Sequence, residues 1–362
     1  MLSKMHYAAE LAKMGNKVFF VNPPRESIST LIKKGDMVSG VQLLHIKPLM
    51  LTLLLRHKLF PLYSLLMQRY ANHIRKIAGG QIDELWNFNP HSFPAMKGFA
   101  AKKNILLIYD FYKGRHVESA AKEADLVVTP SQLIADYYKP FNKAVYFIQH
   151  GLGAAFAEQA RKRLLQIPVN DNIKTIKVGY TGNLLRQAIN TGVLHKIIIA
   201  HPQIEFHFWG PSSIVSNNVT DVNESISTAL LQFIGFLEKE QNVFLHGVTA
   251  QDDMAKAMQD MDAFLFVYVS TTDMNAASNS HKLLEYISTG KVVVSSMVST
   301  YKGTGLLQMC DDDNGLPALF DEVINNLASY NTIEKQQDRI AYALQNTYNS
   351  QVKKIHQLLN IG

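Results

Sequence analysis

The stretch from Asn279 to Ser296, NSHKLLEYISTGKVVVSS, limits the possible folds of this chain more than any other. Asn279 and Ser280 have side chains that commonly cap the start of a helix. Apolar residues then recur at helical spacing, at Leu283, Leu284 and Ile287. Gly290 predicts a left-handed end to the helix, and the β-branched run after it predicts a strand buried on both faces. A helix followed directly by such a strand indicates a parallel α/β sheet.

The polar residues of the predicted helix lie close to its start. His281, Lys282 and Glu285 fall on a face next to the apolar stripe. Free backbone amides and the helix dipole favour an anion at a helix N-terminus. The carboxylate of Glu285 can accept hydrogen bonds from sugar hydroxyls. Together these residues indicate a nucleotide-binding site.

This pattern resembles the nucleotide-sugar site in the C-terminal domain of GT-B glycosyltransferases, particularly retaining family-four-type enzymes of bacterial surface-polysaccharide biosynthesis. In that family a helix with a Lys-Leu-Leu-Glu-Tyr core precedes Gly-Lys and a Val-rich strand. The resemblance implies that Glu285 holds the donor ribose and that Lys282 lies near the phosphates. It also implies donor contacts from the start of the helix, at Asn279, Ser280 and Leu283. The family often has a second Glu eight residues before Glu285, where this chain has Ala277.

Length and composition set the outer limits of the prediction. A chain of 362 residues suggests two domains at about 150 residues each. With 47% apolar and 18% charged residues, the sequence is typical of a globular protein. The single cysteine, Cys310, excludes an internal disulfide framework and is typical of the reducing cytoplasm. The 13 histidines have no zinc-like spacing, so we expect no structural metal and no cofactor besides the donor substrate.

A net charge of +6 favours anionic partners, among them nucleotide phosphates and acidic lipids. The sequence has no RNA-binding motif, zinc finger or long basic tract, and nucleic acid is therefore not expected as a partner. We expect a cytoplasmic protein, because the sequence has no signal peptide and its longest apolar run, Pro48–Leu55, is too short to span a bilayer. The apolar and basic segment Lys47–Ile77 has two interpretations: a surface that lies in the interface of an anionic membrane, or helices packed within the first domain with basic outer faces.

Short apolar strands alternate with helical segments along the whole chain, which predicts two Rossmann-like doubly wound parallel sheets. The first-half strands are predicted at 17–21, 41–46, 83–88, 105–109, 126–129 and 145–149, and the second-half strands at 176–180, 205–209, 243–245, 263–269 and 292–295. Residues 1–160 would form the acceptor domain and residues 161–345 the donor domain, facing each other across a cleft. The resemblance implies that the last helix, 346–362, crosses back to the first domain. It also implies an opening strand before the first helix, Ser3–Gly15, and we expect that this strand is missing.

Three weaker motifs precede the donor helix. In KVGYTGNLLRQAIN, residues 177–190, Gly182 follows a strand without forming a Walker loop or a dinucleotide fingerprint. The resemblance makes this the loop at the donor diphosphate, with Arg186 as a candidate cation; an ordinary strand-to-helix turn is the alternative. Gly210 and His246 end two later strands, where family members bind the nucleotide base, but such strand ends are also common in plain turns. The polar loop Thr271–Ser280 could contact a sugar or phosphate through its backbone.

Two titratable residues of the first half follow strands at their carboxyl ends, where open α/β sheets bind ligands. His91 or Asp110 could act as a general base toward an acceptor hydroxyl, or orient it. The alternative is that His91 caps a turn and Asp110 fixes a helix start. His150, at the predicted hinge, could approach the diphosphate. The acidic run Asp311–Asp313 lies too late in the chain for a metal site and is predicted to be a solvated loop.

We therefore expect a glycosyltransferase that moves a sugar from a nucleotide-diphosphate donor to a glycan or lipid-linked acceptor. The resemblance implies retention of anomeric configuration and no requirement for metal. One alternative is a non-catalytic protein that binds a nucleotide or glycan, and another is a sugar-nucleotide epimerase. Peripheral attachment to the inner face of the cell membrane would bring the acceptor domain to a lipid-linked glycan.

Overall fold

The computed structural model describes residues 3–22, 30, 32–47, 55, 58–167, 175–213, 227–269 and 279–361. The chain forms two compact units, Met1–Gln149 together with Tyr348–Gly362, and His150–Thr347. The division therefore lies before His150 rather than at residue 160, and the return to the first unit begins at Tyr348 rather than at residue 346. The physical reason for the earlier division is that the helix Ala154–Leu165 packs against helices of the second unit.

The first unit contains two hydrogen-bonded sheets. Their strands are β1 (Val18–Val21), β2 (Ile32–Val38), β3 (Val41–Ile46), β4 (Ile82–Asn87), β5 (Ala101–Leu107), β6 (Leu126–Thr129) and β7 (Val145–Phe147). One sheet has the order β1-β3-β2, and the other, fully parallel, has the order β4-β5-β6-β7. The prediction of a single six-stranded sheet was wrong, because β1 and β4 are both edge strands that do not pair with each other.

The prediction also missed β2, which pairs antiparallel with β3 through a two-residue turn. Ser39 and Gly40 both have positive φ, at 51° and 77°, as the tight hairpin turn requires. Only the first residue of β2 is buried, so the strand lacks the apolar pattern that reveals a core strand.

Helices cover both faces of this unit. They are α1 (Ser3–Lys13), α2 (Phe60–Ala78), α3 (Arg115–Glu123), α4 (Gln132–Tyr138) and the C-terminal helix, numbered α13 (Tyr348–Ile361). One apolar cluster joins α1 and α13 to Val18 of β1 and Trp86 of β4. A second cluster joins α2 to Phe19 of β1 and Leu85 of β4. Each of the two clusters therefore contains residues from both sheets of the unit. The predicted return of the C-terminal helix to the first domain is confirmed.

The second unit contains one sheet. Its strands are β8 (Lys177–Thr181), β9 (Glu205–Trp209), β10 (Val243–Gly247), β11 (Ala263–Phe266), β12 (Val292–Ser295) and β13 (Gln308–Met309). They are all parallel and have the order β10-β9-β8-β11-β12-β13. Five of them match predicted strands, and the two-residue β13 was missed because it is too short to form a pattern. The strand order reverses between β8 and β11, which is the place where open α/β sheets bind ligands beyond their carboxyl ends.

The helices of the second unit flank this sheet. They are α5 (Ala154–Leu165), α6 (Thr191–Ala200), α7 (Thr228–Leu237), α8 (Gln251–Ala257), α9 (His281–Ile287), α10 (Leu316–Asn325), α11 (Leu327–Tyr330) and α12 (Ile333–Gln345). Strand β12 is buried along its whole length, as its Val-rich sequence predicted. Among the described residues, no helix combines the length and apolar character needed to cross a bilayer.

Candidate functional site

Three loops meet at the carboxyl edge of the second sheet, close to the reversal of strand order. The amide of Gly182, after β8, donates to the carbonyl of Trp209 at 2.8 Å. The amide of Gly210, after β9, donates in turn to the carbonyl of Gly247 at 2.7 Å. Both predicted glycines therefore lie in one hydrogen-bonded chain of loops rather than in separate turns.

The two glycines make room for a close approach that side chains would block. Both have positive φ, 147° at Gly182 and 132° at Gly210. A Cβ atom on Gly182 would lie 2.1 Å from Nζ of Lys282, and one on Gly210 would lie 2.0 Å from the carbonyl oxygen of Gly182. The backbone after β8 is thus held directly against the ammonium group of Lys282.

Lys282 and Arg186, the two predicted cations, lie around the same phenol. Nζ of Lys282 donates to the hydroxyl of Tyr268 at 3.1 Å. Burial alone would raise the pKa of Tyr268, but the charges and hydrogen bonds of Lys282 and Arg186 outweigh it and lower that pKa. Sequence reasoning missed Tyr268, because this residue ends the apolar run FLFVY, a pattern that predicts a core position.

Glu285 lies one turn after Lys282 on α9 and is buried, with 8% of its surface exposed. Burial raises the pKa of its carboxyl to about 7, and the positive charge of Lys282 opposes that rise only in part. Once ionised, a buried carboxylate is strongly stabilised by hydrogen bonds from hydroxyl groups, because these bonds replace the hydrogen bonds to water that burial has removed. Its environment suits the predicted contact with a ribose.

Tyr286, the neighbour of Glu285, ties α9 to the loop after β8. Its hydroxyl accepts from the amide of Thr181 at 2.6 Å and from the side chain of Thr181 at 3.0 Å. Its ring stacks on Phe264 of β11, with ring centres 4.6 Å apart. Tyr286 therefore fixes the position of Gly182 relative to Lys282, a supporting role that local sequence spacing does not reveal.

The residues at the start of α9 have different surroundings. Ser280 occupies the N-cap position, but its side chain makes no capping hydrogen bond, contrary to one reading of the sequence. The buried Asn279 uses its backbone carbonyl to hydrogen-bond Nε2 of His150. Burial lowers the pKa of His150 to about 4, so this histidine is neutral at pH 7. The side chain of Leu283 is fully buried in the core, which leaves only its backbone for contact with a ligand.

His246, at the end of β10, belongs to a stack of flat side chains. Its ring lies 4.6 Å from that of Trp209 and 5.2 Å from that of His207. Nε2 of His246 and Nδ1 of His207 share a hydrogen bond of 2.9 Å, and burial lowers the pKa of both rings. Because His246 is exposed, it offers a flat uncharged surface beside Gly210. Trp209 and His207 were not predicted as parts of the site.

The candidate acceptor residues lie in the first unit, where the structure brings them to one tyrosine. Asp110 accepts a hydrogen bond of 3.0 Å from the hydroxyl of Tyr112. The ring of His91 lies edge-on to Tyr112 at 4.8 Å and 6.1 Å from the ring of His116. Sequence reasoning missed Tyr112 and His116, which come from the segment after Asp110. Asp110 is exposed, as an acceptor-binding group must be.

Three features of the sequence add no further residue to the site as the structure describes it: the loop before the donor helix, the acidic run Asp311–Asp313 and possible metal-binding groups. Residues 270–278, which include Ala277 and most of the loop Thr271–Ser280, lie outside the described residues. In the acidic run, Asp311 is exposed and pairs with Lys302 at 3.5 Å, but Asp313 is buried and accepts from the distant Asn190 at 3.2 Å, so the prediction of a solvated loop was wrong for Asp313. Among the residues that the structure describes, no three His, Cys, Asp or Glu side chains are arranged to hold a metal ion.

No family model matches the sequence, and no curated protein matches it significantly. Solved structures do match. Sucrose-phosphate synthase from Thermosynechococcus elongatus is 14% identical, with a TM-score of 0.67 over 98% of this chain and 91% of that chain. A glycosyltransferase from Rickettsia africae ESF-5 is 12% identical, with a TM-score of 0.67 over 99% and 93% of the two chains.

A third match is HepE from Anabaena, solved in complex with UDP. It is 16% identical, with a TM-score of 0.58 over 83% of this chain and 82% of that chain. Another structure of HepE contains UDP-glucose. All three matches are similar to this chain at the level of fold, and they share the two-domain GT-B architecture. The chain therefore has the GT-B fold that its resemblance to family-four-type glycosyltransferases predicted.

Proposed function

We propose that the protein is a glycosyltransferase that moves a sugar from a nucleotide-diphosphate donor to a glycan or lipid-linked acceptor. The observation that carries the proposal is the group formed by Lys282, Arg186 and Glu285 at the carboxyl edge of the second sheet. Two cations and one buried carboxyl are the groups that a diphosphate and a ribose require. The fold supports the same proposal, since HepE binds UDP and UDP-glucose on a similar architecture.

In this proposal the diphosphate binds over Gly182, between Lys282 and Arg186. The absence of a side chain at Gly182 lets a phosphate reach the backbone and the ammonium group together. As the bond to the sugar breaks, negative charge grows on the departing diphosphate, and the two cations stabilise it. We propose that this charge makes a divalent metal unnecessary, and that the sugar is transferred with retained anomeric configuration.

The nucleotide base would stack beside Gly210, on the exposed ring of His246. That ring is already stacked on Trp209, so its orientation is fixed before the ligand arrives. A neutral histidine face suits a base of any type, because every base has a flat π surface. The choice of base would then depend on polar contacts at its edge.

The acceptor would be oriented by His91 and Asp110 in the first unit. Asp110 has the free surface that a hydroxyl needs, and Tyr112 holds its carboxylate in place. A ring nitrogen of His91 would accept the proton of the attacking hydroxyl or orient that hydroxyl by a hydrogen bond. We propose these two residues as the acceptor-side catalytic groups.

A donor-turnover assay tests the proposal. Nucleotide-diphosphate sugars with uracil, guanine, thymine and cytosine bases are each incubated with a lipid-linked glycan acceptor, and release of the nucleoside diphosphate is measured. We expect release from one of these donors that rises when acceptor is added. Binding without turnover would favour the non-catalytic alternative, which Ala277 supports because family members often have Glu there. Turnover of donor into another sugar nucleotide without acceptor would indicate an epimerase.

Donor binding should depend on pH through Glu285. Its carboxyl has a pKa of about 7 in the free protein, and ribose hydroxyls bond the ionised form, so binding lowers this pKa. Affinity should therefore rise with pH and level off above pH 7, and at pH 6 it should be about tenfold below the plateau. Calorimetric titration with UDP-glucose checks this, since its esterified diphosphate does not itself titrate in this range. Glu285→Gln should bind more weakly with a flat profile; an unchanged slope in this variant would contradict the assignment.

We also propose that α2 attaches the protein to an anionic membrane surface. Leu59, just before α2, and two leucines of its first half, Leu62 and Leu65, are 55%, 50% and 52% exposed. Arg69 and Lys76 continue the same exposed stripe toward the end of the helix. An apolar patch beside basic residues fits the interface of a bilayer that contains acidic lipids.

Vesicle sedimentation tests this surface. The double variant Leu62→Glu/Leu65→Glu should bind vesicles with 30% phosphatidylglycerol at least tenfold more weakly than the wild type, because charged side chains replace the exposed leucines that would insert into the membrane interface. The matched control is Leu133→Glu, an exposed leucine on α4, which should bind like the wild type. Equal binding by the double variant, or wild-type binding that does not depend on acidic lipid, would contradict the proposal.

A further inference from the structure

Tyr268 lies at the centre of the proposed donor site, yet neither the resemblance nor the nucleotide chemistry requires a tyrosine there. Its ring is 8% exposed, and its hydroxyl accepts the hydrogen bond from Lys282. Arg186 lies close enough to the same phenol for its positive charge to help lower the pKa of Tyr268. One phenol therefore hydrogen-bonds Lys282 and lies in the field of Arg186, the two cations that the proposed function assigns to the diphosphate.

The backbone of Tyr268 is held firmly in place. Its amide donates to Oγ of Ser296 at 3.0 Å, and the same hydroxyl of Ser296 donates back to the carbonyl of Tyr268 at 2.6 Å. A bridge to Ile189 and the ring of Phe266, 4.4 Å away, hold its other sides. An oxygen fixed in this way can define the position of flexible side chains that bond to it.

Lysine and arginine side chains have many rotamers, and ordering them costs free energy when a ligand binds. Two like charges that share one small site also repel each other. An acceptor oxygen between them offsets the repulsion and keeps both groups at the site before the ligand arrives. The diphosphate then meets a cation pair that is already ordered.

We propose that Tyr268 is a positioning residue, whose phenol oxygen holds Lys282 and Arg186 together so that they receive the donor diphosphate as one preformed anion site. This inference rests on the proposed function for the identity of the ligand, but the anion site itself does not. Tyr268 acts on the diphosphate through the two cations and is not assigned a role at the reacting sugar.

The simplest alternative is that Tyr268 only fills the core beside Phe266. Tyr268→Phe separates the two interpretations, because it keeps the ring and removes only the oxygen. A packing role predicts no change in ligand affinity. A positioning role predicts a loss that is confined to ligands carrying phosphate and that depends on Lys282.

The experiment measures binding of UDP, uridine and inorganic pyrophosphate by calorimetry. The four proteins are the wild type, Tyr268→Phe, Lys282→Ala and the double variant, and Tyr330→Phe serves as the matched control. Tyr330 is also in the second unit, and its hydroxyl bonds Glu322 at 2.7 Å outside the site. Thermal unfolding of each protein confirms that it is folded before binding is compared.

We expect Tyr268→Phe to weaken UDP and pyrophosphate about tenfold, while uridine binding and the control are unchanged. In the Lys282→Ala background the same substitution should have less than half its effect on the logarithm of affinity, because the two residues act through one contact. Equal loss for uridine and UDP, additive losses in the double variant, or no loss at all would overturn the inference.

The pyrophosphate measurements separate this inference from the proposed function. If the wild type binds pyrophosphate but no nucleotide, the proposed donor fails while the anion site stands, and the loss in Tyr268→Phe still tests Tyr268. If the wild type binds UDP and Tyr268→Phe binds it equally well, the proposed function stands and the role of Tyr268 is refuted. A wild type that binds neither ligand refutes both.

Discussion

Lys282→Ala is expected to lower kcat/KM for sugar transfer by a factor of about 100 to 1,000, in the range found when one group that stabilises transition-state charge is removed. The ammonium group of Lys282 lies against Gly182 and hydrogen-bonds Tyr268, whose phenol also lies in the field of Arg186; in the proposed function the diphosphate gains charge here as it leaves. Most of the loss should be in kcat, since the charge is greater in the transition state than in the bound donor. Initial rates over a range of donor concentrations measure both parameters.

The control for this variant is Lys302→Ala. Lys302 is 68% exposed and pairs with Asp311 away from the site, so its loss removes the same charge from the protein as a whole. Its rate should stay within twofold of the wild type. A Lys282→Ala enzyme that keeps more than half of its activity would contradict the assignment of this lysine to the diphosphate.

The second large effect is expected at Gly210, where alanine should destabilise the protein by about 3–5 kcal/mol. The new Cβ atom would lie 2.0 Å from the backbone carbonyl oxygen of Gly182, and φ of 132° is itself unfavourable for alanine. The neighbouring atom belongs to a backbone, so it cannot rotate away as a side chain could. Urea unfolding followed by circular dichroism gives the change in the free energy of unfolding.

Gly303→Ala is the matched control for the glycine prediction. Gly303 also has a positive φ, 76°, but among the residues that the structure describes, none apart from its chain neighbours has an atom within 4 Å of where its Cβ would be. The free energy of unfolding of Gly303→Ala should fall only by the strain of a left-handed backbone at alanine, about 1–2 kcal/mol. Equal losses of stability in the two variants would contradict the prediction that the close approach of the loops after β8 and β9 makes Gly210→Ala more destabilising.

Much of the second unit could be predicted because its signals are local. The β-branched run VVVS predicts a strand that is buried on both faces, and the seven-residue helix before it already shows an apolar stripe. Lys282 and Glu285 stand one turn apart on that helix, so their proximity also follows from local spacing. Strand β11 is equally clear, since all four of its residues are buried and apolar.

The features that sequence reasoning missed depend on contacts between distant parts of the chain. Tyr268 has its role only because Lys282, 14 residues later, returns to its hydroxyl. Tyr286 reaches Thr181 across 105 residues, and nothing near either residue predicts that bond. The split of the first sheet has the same origin: pairing of β1 with β3 rather than β4 is decided by register between strands, not by the composition of either.

The most direct test of the account is a thermal-shift comparison of the wild type with Glu285→Ala. Each is heated with UDP, GDP, dTDP or CDP, with and without magnesium. A nucleotide at about 100 times its dissociation constant adds about 2.7 kcal/mol of stability, which raises the melting temperature by several degrees. We predict a rise for the wild type with one diphosphate, independent of magnesium and lost in Glu285→Ala. If no diphosphate raises the melting temperature of the wild type, the donor site is contradicted.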